Sequence, residues 1–138
     1  MANHFNYDSA KHDIIVNGIR VSDYGDDVKI TIEYEEDFRT VTTGVDGATA
    51  TNEKHNKNAL IKFKILQTSP LNALFNTLAF SEKEFPVAHI DRNFNGDIGG
   101  FASIAHFTKI PNLEIGTEAK SREWVIRAID FKTTFNIK

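Results

Sequence analysis

The chain contains one convincing helix signal, Thr68-Ser69-Pro70-Leu71-Asn72-Ala73-Leu74-Phe75-Asn76-Thr77-Leu78. A serine hydroxyl can accept a hydrogen bond from a free amide of the first helical turn. Proline is favoured at the first helical position, because the N–H that it lacks has no partner there. The apolar residues that recur at the spacing of one helical face are Leu71, Leu74, Phe75 and Leu78. The pattern predicts a short helix over about residues 69–80 that packs by these four side chains.

The segments on both sides of this helix have the pattern of strands. Residues 59–66 alternate apolar side chains with lysines, and residues 28–34 alternate branched or aromatic side chains with polar ones. A period of two is typical of a half-buried strand. Asn17-Gly18 between two apolar runs predicts a tight hairpin, and residues 101–110 and 124–137 predict further long strands. In the last of these, the apolar residues move from even to odd positions midway along the strand, which indicates a bulge or a strand buried on both faces.

These patterns predict a mainly β fold: an antiparallel β-sandwich or partial barrel with one short flanking helix. A helix of about three turns is marginal alone in water, so it must lie on an apolar surface. A chain of 138 residues suffices for one core that buries about two-thirds of its unfolded surface. Without a repeat or a composition shift, we expect a single domain over residues 1–138.

The composition excludes several classes of function. The chain has no cysteine, which rules out disulfides and thiolate chemistry. A net charge of −3 argues against a general binder of nucleic acid or anionic membranes. No apolar run approaches the length of a membrane span. Eleven phenylalanines suit strands better than helices.

Residues 44–58 differ from the rest of the chain. They are polar and small and show no apolar periodicity, so we expect an extended polar loop. Unstructured loops of this length in compact domains are usually functional or disordered. Threonine and alanine alternate over residues 48–51. The alternative interpretation of this segment is therefore an extended ribbon that becomes ordered only against a partner.

Charges of opposite sign are separated along the chain. Acidic residues dominate 23–37, with Lys29 as the one lysine among them, and a basic stretch follows with Lys54, Lys57, Lys62 and Lys64. One interpretation is two solvated faces. The other is head-to-tail complementarity between copies, because heterologous contacts of this kind build rings and filaments.

No motif in the sequence predicts catalysis or a cofactor. Residues 91–98 resemble a calcium loop, with oxygen side chains at positions 1, 3 and 5 and glycine at position 6. Position 12, however, is Ala102, where calcium needs a bidentate glutamate, so we favour a hairpin loop and keep a weak ion site as the alternative. The five histidines lack metal-ligand spacing. We therefore expect no enzyme, metal or cofactor. A site whose His and Asp residues are distant in the sequence and meet only in the fold would not be visible at this level.

The chain resembles the tail tube proteins of contractile-tailed bacteriophages in two segments, Leu66-Gln67-Thr68-Ser69-Pro70-Leu71-Asn72-Ala73-Leu74 and Thr42-Thr43-Gly44-Val45-Asp46-Gly47. The order of elements agrees as well: a hairpin, an acidic strand, the Gly-Asp-Gly loop, a basic strand, the helix, and long strands. The likeness extends over about residues 10–137. Tubes of R-type pyocins and of type VI secretion are similar.

This resemblance implies a structural virion protein of the tail, made in the host cytoplasm. Six copies would form a ring, and stacked rings would enclose a lumen through which DNA passes without specific binding. The implied partners are copies of the chain and the tail sheath, baseplate and tail terminator proteins, with no membrane. The alternative function is a monomeric β-sandwich module that binds carbohydrate or peptide.

The resemblance also implies that the loop at 44–58 reaches a neighbouring subunit or ring. Combined with the charge pattern, it leads us to predict a subunit interface. Its predicted residues are Glu35, Glu36, Asp37, Val45, Asp46, Thr49, Thr51, Lys54, Lys57, Lys62 and Lys64.

Overall fold

The computed structural model describes residue 4 and residues 7–25, 29–93 and 97–134, with residues 97 and 98 described for the backbone alone. Three predictions lie partly outside these residues: the strand position at 28, the calcium-loop positions at 94–96 and the last strand beyond 134. No helix in the described part of the chain is long and apolar enough to cross a membrane.

The described residues form ten strands and one α-helix after a short 3₁₀ turn at Ser9–Lys11. The first strands are β1 His12–Val16, β2 Ile19–Arg20, β3 Ile30–Tyr34, β4 Arg39–Thr43, β5 Thr49–Glu53 and β6 Ala59–Leu66. Then follow α1 Leu71–Phe80, β7 Phe85–Asp91, β8 Asp97–Phe107, β9 Ser121–Ile129 and β10 Lys132–Thr133. The prediction of a mainly β fold with one short helix is confirmed.

One antiparallel sheet contains most of the strands, in the order β2-β1-β7-β8-β9-β6-β3, with β10 beside β8. The sheet rolls up, because Tyr24 links two distant strands: its backbone pairs with Ile65 of β6, and its hydroxyl accepts from the Ile14 N–H of β1. Lys29, just before β3, donates to the carbonyl of His12 in β1. Among the described strands, the rolled sheet does not close into a barrel, since β2 and β3 remain its two ends.

Local turn chemistry agrees with the sequence at the first hairpin. Asn17 and Gly18 both have positive φ, 51° and 80°, as a two-residue hairpin turn requires. Val16 and Ile19 are paired across it.

The core lies between the inner face of the sheet and the helix. The apolar positions predicted in β6 are buried, with Ile61, Phe63 and Ile65 at 0–1% exposure. Phe75 of α1 packs edge-on against Phe63 and Trp124, with ring centroids 5.7 Å apart in each pair. Edge-to-face aromatic pairs add to the burial of area. The helix therefore covers the sheet through one aromatic side chain at its centre.

The parity change in the predicted terminal strand has a different cause from a bulge. The strand β9 ends at Ile129, and Asp130 takes a left-handed conformation with φ 51°. Phe131 then returns to the core at 1% exposure, and β10 pairs with β8. A strand of nine residues and one of two, separated by Asp130 and Phe131, thus replace the single long strand that the pattern predicted.

Ser69 contributes to the start of the helix as the sequence indicates. Its hydroxyl accepts from the Leu71 N–H at 3.3 Å and donates to Asp23 at 2.9 Å. Pro70 has helical backbone angles and immediately precedes the first helical residue. The hydroxyl therefore stabilises the first turn and also ties it to the segment after β2.

The face by which the helix packs differs from the prediction at one residue. Phe75 is buried and Leu71 and Leu78 pack against the core, but Leu74 is 52% exposed. The buried polar residue Asn72 stands on the packed face instead. Its amide donates to the carbonyls of Leu66, Gln67 and Ser69, and its side-chain oxygen accepts from the Trp124 indole at 2.9 Å. The prediction that Leu74 packs is wrong, because this hydrogen-bonded residue turns the helix so that Leu74 lies on its outer side.

Replacing Asn72 by alanine is expected to lower the free energy of unfolding by about 2–4 kcal/mol, because the Trp124 N–H and three carbonyls lose their buried partner. Urea denaturation followed by tryptophan fluorescence measures this. Asn76→Ala, one turn along the same helix, is the control and should change stability much less. Equal losses in both variants would contradict the role of Asn72.

Leu74→Glu is expected to change the unfolding free energy by less than about 1 kcal/mol, because this side chain is half exposed. Phe75→Ala, one residue further along, should cost about 3–5 kcal/mol through the cavity that it leaves. Chemical denaturation of both monomeric variants tests the orientation of the helix. A larger loss for Leu74→Glu than for Phe75→Ala would overturn it.

Candidate assembly surface

The segment predicted as an extended loop at 44–58 is largely a projecting hairpin. The strands β4 and β5 pair with each other and form a two-stranded sheet apart from the main one. The hairpin is inserted between β3 and β6, which pair with each other in the main sheet. The loop prediction is wrong for residues 49–53, because they find in-chain partners in residues 39–43. The alternation of threonine and alanine therefore belongs to a strand, whose partner lies in the same chain.

The turn at the tip of the hairpin is fixed by local hydrogen bonds. The Asp46 carboxylate accepts from the Ala48 N–H at 3.1 Å, and the Gly44 N–H donates to the carbonyl of Ala48 at 2.6 Å. Gly47 has φ 91°, which glycine adopts without strain. Val45 stands fully exposed at the tip. Asp46, predicted as an interface residue, thus has a role in shaping the turn.

The base of the hairpin is anchored to the main sheet by aromatic contacts. Phe38 meets the Tyr34 ring edge-on, with centroids 5.1 Å apart. The Lys57 ammonium lies 3.5 Å from the centre of the Phe38 ring, a cation–π contact. The Tyr34 hydroxyl donates to the carbonyl of Phe131 at 2.6 Å. These contacts hold the root of the hairpin, while its two strands extend away from the core.

Several charges predicted to pair between copies already have partners inside the chain. Glu35 accepts from Arg127 at 2.6 Å, and Lys62 pairs with Glu33 at 2.8 Å across β6 and β3. The hydrogen bond to Glu33 raises the pKa of the Lys62 ammonium. Glu33 and Lys62 are neighbours because β3 and β6 lie side by side in the sheet, so part of the acidic stretch meets the basic one within one molecule.

Other predicted interface charges keep their capacity to bind a neighbour. Glu36 and Asp37 are exposed beside Lys54 in a shallow depression at the root of the hairpin. Among the described residues, none of these three side chains takes part in an ion pair. Thr49 and Thr51 lie on the exposed strand β5. Lys64 lies on β6 opposite Glu123 and, unlike these residues, is already engaged within the chain.

The structure also brings together two histidines that the sequence keeps far apart. His12 of β1 and His89 of β7 are stacked, with an interplanar angle of 6° and Nδ1 of His12 3.0 Å from Nε2 of His89. Burial and the nearby charge of His12 lower the pKa of His89, while Asp91 opposes the shift. The pair borders a cleft of about 360 Å³ with Tyr7 and Lys29 on its wall.

The histidine pair does not form a metal centre with its neighbours. In the part of the chain that the structure describes, no cluster of three or more potential ligands is arranged to hold an ion. The Asp91 carboxylate, the first position of the calcium-like loop, accepts from the backbone and side chain of Asn93. Asp91 is also the last residue of β7, so it begins a hairpin connection, as favoured from the sequence.

The chain matches a protein family and has structural neighbours. The family model described as Bacteriophage PhiTE tail tube protein matches residues 9–135. No curated protein sequence matches the chain. Among solved structures, the sheath/tube terminator of an extracellular contractile injection system (PVC, extended state) has a TM-score of 0.60 at 10% identity and covers 96% of this chain and 99% of its own. The cap that terminates the tube of the anti-feeding prophage has a TM-score of 0.62 at 9% identity, covering 98% and 95%.

The histidine pair predicts a pH dependence of stability. The folded pKa of His89 lies below its unfolded value of about 6.5. Between the two values the unfolded chain binds more protons, so the stability is present near pH 7.5 and decreases as the pH falls through 6.5. Denaturation of the chain and of His89→Gln at pH 7.5 and 5.5 measures the difference. The variant should lose less stability on acidification, whereas the exposed control His55→Gln should behave like the parent.

Proposed function

Because the chain belongs to the bacteriophage PhiTE tail tube protein family, we propose that it is a subunit of a phage tail tube. In this proposal, copies of the chain join into six-membered rings, and the rings stack into a hollow conduit for DNA ejection. The protein acts by assembly and not by catalysis, and its place is the tail of the virion. Tail sheath, baseplate and terminator proteins are its other partners.

The projecting hairpin β4–β5 is the observation that carries this proposal. An isolated two-stranded hairpin is marginally stable at best in water, and nearly every residue of this one is exposed. Val41 is 65% exposed and Val45 is fully exposed. Burial against a neighbouring copy removes these apolar groups from water and stabilises the hairpin.

The edges of the main sheet support the same proposal. Within the described residues, β3 has one neighbour in the sheet order, β6, and no strand lies along its other edge. Such an edge is a template for pairing with another chain. Closure of several copies into a ring satisfies edges that one copy leaves open.

The charge of the protein suits a passage for DNA. At −3 overall, the chain lacks the excess of cations that binds phosphate strongly. A conduit with weak attraction lets DNA move through without being held. The proposed contact with DNA is therefore passage and not recognition.

A second candidate function is a terminator that caps a tube. The solved structures described above are named as a terminator and a terminating cap, and both share the fold over nearly the whole chain. A tube subunit adds ring upon ring, whereas a terminator forms one ring at an end. Electron microscopy of the purified chain, together with its mass in solution, separates the two. Tubes support the subunit, single rings support the terminator, and a persistent monomer with a ligand-binding cleft supports the binding-module alternative.

Shortening the hairpin is expected to abolish assembly and leave the fold intact. Residues 40–52 can be replaced by Asn-Gly, which closes a hairpin between the paired residues Arg39 and Glu53. Because the core lies in the main sheet, the thermal unfolding midpoint of the monomer should change little. Tubes of normal length from this variant would contradict the proposed role of the hairpin.

A further inference from the structure

We infer that the stacked pair of His12 and His89 is an acid-sensitive latch that holds residues 7–12 over the neighbouring cleft. The two rings belong to paired strands, since Ile14 of β1 stands opposite His89 of β7. When both rings carry a proton, this segment is released while the sheet stays folded. The latch belongs to the single chain and does not depend on assembly into tubes.

The geometry of the pair accommodates one charged ring but not two. Nδ1 of His12 and Nε2 of His89 face each other across 3.0 Å, so one nitrogen donates the hydrogen bond and the other accepts it. An imidazolium carries N–H groups on both nitrogens and cannot accept. Protonation of both rings therefore places two N–H groups and two positive charges against each other, and the contact is lost.

The charges beside the pair support a first proton and oppose a second one. Nε2 of His12 lies 3.7 Å from the Asp91 carboxylate, which stabilises a positive charge on that ring. The Lys29 ammonium donates to the carbonyl of His12, and Lys29 lines the same cleft as both rings. This ammonium adds a like charge, so two imidazolium rings would share the site with a third cation.

Two other carboxylates near the segment are already engaged. The Asp13 carboxylate forms ion pairs with Arg20 and Arg92, at 2.8 and 2.7 Å. The Asp8 carboxylate accepts from the Ala10 N–H within its own turn. Neither group is therefore free to compensate a second charge on the histidine pair.

The backbone on the far side of His89 decides which part of the chain moves. Gly100 of β8 pairs with His89, and a Cβ at Gly99 would lie 2.6 Å from Nδ1 of His89. The ring therefore has strand β8 directly behind it. Repulsion between the two rings is relieved by a movement of His12 and the segment before it.

That segment is held more weakly than the rest of β1. Ile14 is fully buried in the core, whereas Tyr7 is 74% exposed and meets the His12 ring with centroids 5.6 Å apart. The hydrogen bonds between Asp8 and Asn93 are also exposed, where water can replace them. Loss of the histidine contact thus frees residues 7–12 and opens the cleft, while the core anchors β1 from Ile14 onward.

Spin labels on introduced cysteines measure the release, because the chain has no cysteine of its own. Ser9→Cys lies on the segment and Thr31→Cys on β3, and both positions are exposed. Double electron–electron resonance gives the distance between the labels at about pH 7.5 and about pH 5, on either side of the ordinary histidine pKa of about 6.5. Since each freed residue spans about 3.5 Å, we expect the mean distance to increase by at least about 5 Å at the lower pH. An unchanged distance overturns the latch.

Histidine variants of the doubly labelled chain separate the latch from a general effect of acid. The amide of His89→Gln stays neutral at both pH values, so the distance in this variant should not depend on pH. His55→Gln replaces an exposed histidine and should respond like the parent. A shift in His89→Gln equal to that of the parent overturns the role of the pair. Circular dichroism checks the fold, and His12→Gln replaces His89→Gln if the latter does not fold.

The fluorescence of Trp124 shows whether the release is local. This side chain is fully buried in the core and is the one tryptophan of the chain. Its emission should stay constant over the pH range in which the distance between the labels increases. Exposure of Trp124 over the same range overturns a local latch, because the whole sheet would then unfold with the segment.

Discussion

The hydrogen bond from the Trp124 indole to Asn72 is the contact on which the arrangement of helix and sheet depends. It joins the centre of β9 to the packed face of α1, and the same Asn72 amide holds the three carbonyls that end β6 and lead into the helix. Buried polar groups that are fully paired specify one arrangement, because any other leaves them without partners. The aromatic contacts of Phe75 then follow from an orientation that the asparagine has fixed.

The rigid sheet and the projecting hairpin have different physical roles. The main sheet supplies its own burial through Phe63, Trp124 and the aliphatic side chains around them. None of the described hairpin residues belongs to that core, and among the described strands β4 and β5 pair only with each other. Its root is held by the ring of Phe38 and by Lys57. One molecule thus combines a domain that has its own core with an extension that is exposed in the single chain, as the proposed assembly requires.

The charge pattern has a different meaning in three dimensions from the one it has along the chain. Glu33 forms an ion pair with Lys62, and Glu35 forms one with Arg127. Because these pairs lie within one chain, fewer charges are left for contacts between copies. Glu36, Asp37 and Lys54 remain on the exposed surface at the root of the hairpin. In the proposed assembly, electrostatic steering between copies therefore rests on fewer groups, and these lie next to the hairpin.

The sequence alone determined the elements whose signals are local: the hairpin at Asn17-Gly18, the alternation of β6, the short helix that follows Ser69-Pro70 and the mainly β class. It also carried the tail-tube resemblance that the family match bears out. The tertiary structure decided which side of the helix is buried, because α1 contains no charged residue and periodicity alone cannot orient a helix without a polar face. It likewise decided the pairing of residues 49–53 with 39–43 and the contact of His12 with His89. These depend on strand register and on pairs separated by up to 77 residues, which no local pattern encodes.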